Sequence, residues 1–196
     1  MRTPQQPPRP TEELLSDALG SIQVRLASAR PSQRAKLLQR AGDVCASAGH
    51  QRDALRWYGQ AIDQLLDLAD AESASVLCRM ILYVQPEAVR ARCTLSWLAL
   101  AAGRYEEAAD RIRSYVAAAE AADQDELAAQ QLGWMFDASA VAPALRAEIV
   151  RLLFSLGMHA RRLPSEEVSE EAGTARHRLW SRVVQSAIGD EPQQEP

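Results

Sequence analysis

The chain is predicted to be all-α, a right-handed superhelix of stacked antiparallel helix pairs with seven to nine helices. Three observations predict it. Apolar residues recur at helical spacing from residue 33 to residue 157, the pattern that puts one face of a helix against a neighbour. The apolar fraction is 47% with only 5% aromatic residues, carried mostly by Ala and Leu, which suits thin, closely packed helices better than a sheet. Finally, Ala74, Cys78 and Ile81 are matched 34 residues later by Ala108, Ile112 and Tyr115, inside a helix–proline–helix–glycine–helix stretch from Asp70 to Val116. A period of that size marks stacked helical units, each unable to bury its apolar face alone.

Residues 1–10 contain four prolines, two glutamines and two arginines, and read as an extended leader with little to bury. Thr11 with Glu12 and Glu13 starts the first helix, a hydroxyl cap with acids facing the helix dipole. Leu14, Ala18, Ile22 and Leu26 give it one stripe, and Gly20–Ser21 is a point where it bends or breaks. Pro31 suits the first turn of the second helix, which buries Leu37, Leu38, Ala41, Val44, Cys45 and Ala48. Gly49 ends it. The third helix turns Ala54, Leu55, Tyr58, Ala61, Ile62, Leu65 and Leu66 inward.

Asp70 is placed to cap the fourth helix, with Ala74, Leu77, Cys78, Ile81 and Leu82 inward. Pro86 closes that helix and opens the fifth, marked by Ala88, Ala91, Leu95, Leu98 and Ala102. After the Gly103 turn the sixth follows, defined by Tyr105, Ala108, Ile112 and Tyr115. Asp123 with Glu126 three residues on resembles a capping box for the seventh, which runs through Leu127 to Phe136. Pro143 begins the eighth, with Leu145, Ile149, Leu152, Leu153 and Leu156 inward and Gly157 as its stop. The organisation expected is therefore a leader (1–10), a helical repeat domain (11–160) and an acidic tail (161–196). A tail helix spanning 174–188 carries Leu179, Trp180, Val183, Val184 and Ile188 as a narrow stripe.

The net charge of −4 supplies no global basic field for nucleic acid or an anionic membrane. The near-absence of lysine (Lys36 alone) beside many arginines is a composition bias, not an RNA-binding pattern. No apolar run approaches the roughly 18 residues of a membrane span, and the N-terminus lacks the apolar core of a signal peptide. Cys45, Cys78 and Cys93, odd in number and lacking short spacing, fit small hydrophobes in a reducing, cytoplasmic compartment. His50, His159 and His177 have no metal-ligand spacing, and neither CxxC, HExxH nor a glycine-rich phosphate loop occurs. Acid pairs such as Glu106–Glu107, Glu166–Glu167 and Glu170–Glu171 fall on exposed faces or in the tail, whereas catalytic carboxylates need burial. No catalytic residue, metal or cofactor is expected, and the chain is expected not to be an enzyme.

Ala48–Gly49 followed by Ala54, Tyr58 and Ala61 resembles the turn and second helix of a tetratricopeptide repeat. So does Ala102–Gly103–Arg104–Tyr105 with Ala108, Ile112 and Tyr115, while Ala74, Cys78, Ile81 and Pro86 are similar to a second helix and its closing proline. The resemblance covers 35–122 well and 123–157 weakly. The two glycine turns lie 54 residues apart, which is no multiple of 34 and puts the first helix pair out of phase. The resemblance implies a non-enzymatic adaptor or scaffold that presents a groove to a protein or peptide, with a regulatory or secretion-chaperone-like module as the alternative. It also places Trp97 on the side facing the groove, where it either packs, partly buried, or touches a peptide. Arg56, Asp63, Arg90 and Cys93 point toward the same groove or form a plain solvated face. Trp180 and its stripe either cap the stack or recognise a partner. The chain has no asparagine, so the asparagine and lysine clamp with which family members hold chaperone C-termini cannot be built, leaving internal peptides or protein surfaces as ligands.

Overall fold

A computed structural model describes residues 12–157, and these form eight helices with no strand among them. They are α1 (Glu12–Ser28), α2 (Pro31–Ser47), α3 (Gln51–Asp67), α4 (Ala71–Val84), α5 (Val89–Ala101), α6 (Tyr105–Glu120), α7 (Asp125–Ala138) and α8 (Pro143–Ser155). The leader 1–10, the tail 161–196 and Trp180 within it lie outside the described residues. The expected repeat domain divides between Asp70 and Ala71 into two compact units.

In the first unit α2 packs along α3, and α1 packs on α2. Pro31 occupies the first turn of α2, where its missing N–H has no helical acceptor to lose. The expected break at Gly20–Ser21 does not occur: α1 is continuous, because Ile22 just beyond is buried with Leu37 and Ala41 and anchors both halves. The expected stripe of α1 is shorter than predicted. Leu14 is 62% exposed, since the packing begins only at Leu19 and runs through Leu26. Between α2 and α3 the contact is close enough that the Tyr58 ring lies on the backbone of Gly42. The Tyr58 hydroxyl donates to Asp43 Oδ1 at 2.8 Å, and burial together with that carboxylate pushes its pKa up to about 12.

The second unit contains α4 through α8, with α4 on α5, α5 on α6, and α6, α7 and α8 mutually in contact. Ala74 of α4 and Ala108 of α6, the small residues of the 34-residue pattern, are both fully buried. Close helix contact needs small side chains at such positions. The thiol of Cys78 is pushed up to about 12 by its burial, as befits an inert packing group.

Four helices end by the same device. After α2 and α5, Gly49 (φ +81°) and Gly103 (φ +67°) turn left-handed. His50 N–H then bonds Cys45 C=O at 2.8 Å and Arg104 N–H bonds Ala99 C=O at 3.0 Å. The ends of α3 and α6 repeat this with Ala69 (φ 57°) and Asp123 (φ 54°), where Asp70 N–H meets Leu65 C=O and Gln124 N–H meets Ala119 C=O. Asp123 is therefore not the cap predicted for the seventh helix. It terminates α6, and Gln124 precedes α7 without a side-chain cap. Aspartate tolerates the left-handed region better than most residues, which is why the same side chain suits either role in sequence.

Candidate partner-binding face

Helix α5 is buried almost all round: Thr94, Leu95, Ser96, Trp97, Leu98, Ala99 and Leu100 are consecutive core residues. The two hydroxyls are compatible with this because they bond back to their own helix, Thr94 Oγ1 to Arg90 C=O at 3.0 Å and Ser96 Oγ to Arg92 C=O at 2.9 Å. The start of α5 is fixed by Arg92. Its guanidinium donates twice to the Pro86 carbonyl, at 3.0 and 2.7 Å, and once to Ser114 of α6.

Trp97 is only 3% exposed, so the expectation that it lines an open groove is corrected. The reason is Gln131 of α7, itself buried. Its side-chain carbonyl accepts the Trp97 indole N–H at 3.0 Å and the Cys93 thiol at 3.6 Å. Burial and the neighbouring Cys93 push the Tyr115 hydroxyl pKa up, placing that hydroxyl in the same polar cluster. An indole N–H and a primary amide are costly to bury unpaired, so this cluster fixes how α5 meets α7. No motif in the sequence marks Gln131. Its position 34 residues after Trp97 is the one signal that could have revealed it.

What remains accessible beside the cluster is the outward strip of α7. Leu127 is exposed, Gln130 and Trp134 are half-buried, and Glu126 and Asp137 border them. Of the residues expected to bind a partner, Cys93 is half-buried and Arg90 exposed, both on α5. Arg56 is exposed and Asp63 half-buried on α3 of the first unit, seven residues apart and so on one helix face.

A concavity of about 370 Å³ lies between α6 and the start of α8, walled mainly by Tyr105, Ala109, Ala142, Pro143 and Leu145. At its edge the largely buried Glu148 carboxylate is held by Arg113 at 3.1 Å and by Arg151, and Arg113 also binds Asp110. Glu107 joins Arg104 at 2.7 Å and Arg111 at 2.6 Å, and the Arg111 hydrogen bond leads the effects that hold its carboxyl below the usual range.

No family model, curated protein or solved structure matches this chain. Among the described residues no group of three or more His, Cys, Asp or Glu side chains could hold a metal ion. Nor is any helix there long and apolar enough to cross a membrane.

Proposed function

We propose that the chain is a non-enzymatic adaptor or scaffold that binds a protein or peptide along the outward strip of α7, in a reducing, cytoplasmic setting. The observation that carries this reading is the strip itself. A half-buried Trp134 and an exposed Leu127 stand beside a buried, hydrogen-bonded cluster and are bordered by carboxylates. Aromatic anchors on well-supported backbone are the usual energetic centres of protein interfaces. The tetratricopeptide resemblance supports the same reading, since in that family stacked helices present side chains to extended ligands. Cys45, Cys78 and Cys93, present as thiols, fit the compartment.

The test is recovery of bound protein on the full chain, comparing wild type with Leu127→Glu and with Val76→Glu, a more exposed apolar position on α4. A partner should be retained by wild type and by Val76→Glu and lost, by about tenfold or more, with Leu127→Glu. Equal loss with both variants would remove the assignment to α7, and recovery of nothing specific would remove the adaptor reading.

A further inference from the structure

On α7 itself the strip is bordered by the carboxylates of Glu126 and Asp137, while Arg146 stacks on Phe136 of the opposite face. Between Arg113 and Arg146 the sequence contains no basic residue. Glu120, Asp123, Asp125, Glu126 and Asp137 are all exposed in this interval, and none forms an ion pair among the described residues. The apolar centre of the strip pairs the exposed Leu127 with Trp134, which is half-buried against the core. A ligand suited to this face has an apolar stripe flanked by cations.

The chain carries such a segment. Residues 174–188 hold Leu179, Trp180, Val183 and Val184 at helical spacing, with Arg176, Arg178 and Arg182 and no acid. We propose that residues 174–188 dock on the α7 strip of the same molecule and mask it, so that a partner binds only by displacing them. The proposal rests on the reading of that strip as the partner face.

Reach permits it. Helix α8 packs against α7 and is about 20 Å long at 1.5 Å per residue. Residues 158–173, between the end of α8 and the segment, span up to about 50 Å when extended, so the segment can return to any point on α7. A tethered segment acts at a local concentration of about millimolar. Even a weak contact is then populated, and the apparent affinity of a partner falls by the fraction of molecules left open. Because the acids of the strip are solvent-exposed, their attraction for the arginines is screened by salt.

The experiment places a photo-cross-linking amino acid at position 127 of the full-length protein and maps its products by mass spectrometry. The expected product joins position 127 to a peptide within 174–188 of the same molecule, and a cross-linker at Val76 gives no such product. Arg178→Glu with Arg182→Glu should abolish it, and adding Glu126→Arg with Asp137→Arg should restore it. Raising the salt from about 0.05 to 0.5 M should weaken it several-fold. No product at 127, or a product indifferent to both charge reversals, overturns the proposal. A product between isotopically light and heavy copies assigns the occupant to a second molecule and overturns it too. Failure of the cross-link with Leu127→Glu still losing its partner sinks the masking alone. A cross-link present with no partner recovered sinks the partner reading instead.

Discussion

Gly42→Ala tests the packing of the first unit most directly. A Cβ at this position would lie 2.4, 2.6 and 3.0 Å from Cε1, Cδ1 and Cζ of Tyr58. Carbon atoms rest at about 3.5–4.0 Å, so the ring would have to move by about 1 Å. It has little freedom to do so, being buried and tied through its hydroxyl to Asp43 at 2.8 Å. Overfilling of this kind costs about 1–3 kcal/mol, and a weakened hydroxyl bond adds up to about 1 kcal/mol. Against this, alanine favours a helix interior over glycine by about 1 kcal/mol. The expected net loss is between about 0 and 3 kcal/mol, read as a lower midpoint in urea or thermal unfolding followed by circular dichroism. In a Tyr58→Ala background no ring atom remains to clash, so the same substitution should be neutral or stabilising by up to about 1 kcal/mol. If Gly42→Ala raises stability in the wild-type background, or costs the same in both, the close approach of Tyr58 to α2 is wrong.

Gln131→Leu should cost about 1–3 kcal/mol by leaving the Trp97 indole N–H unpaired, and Trp97→Phe in that background should recover part of it, both measured by denaturant unfolding. Ala69→Gly should stabilise by about 0.5–1 kcal/mol, because the left-handed backbone after α3 then carries no Cβ. A melting temperature that falls would refute the strained position. Ala108→Leu should cost about 1–3 kcal/mol, since Ala108 has no exposed surface, whereas the exposed Glu106→Ala should stay within about 0.5 kcal/mol. At high pH, Tyr58 and Cys78 keep their protons in the folded state to about 12 while the unfolded chain gives them up nearer 10 and 9. The stability they contribute is complete below those unfolded values and should drain away as pH rises through them toward 12, which urea titrations at stepped pH and tyrosinate absorbance would follow.

Much of the fold was legible in the sequence because helices are written in it twice, as a 3.6-residue apolar period and as punctuation by proline and glycine. Pro31, Pro143, Gly49 and Gly103 each mark the expected helix boundary, and the inward faces of α3, α4 and α6 follow the predicted residues. The misses came where one residue type serves two local roles. Aspartate caps a helix start and also tolerates the left-handed end, so Asp123 reads as a start where the chain uses it as an end. Gly20 reads as a break, yet the burial of Ile22 keeps α1 whole.

What the sequence determined by itself is therefore local: which segments are helical, where they end, and which stripe of each turns inward. Only the tertiary structure decided how much of each helix is covered. Trp97 sits at the edge of its stripe in sequence, and it is the approach of α7, with Gln131 ready to take its N–H, that buries it completely. Likewise nothing local distinguishes Gly42 from any other helical glycine until the ring of Tyr58 is laid across it. Periodicity reports one helix's own geometry, whereas burial depends on neighbours brought close by the rest of the chain, and that information is not stored at any single position.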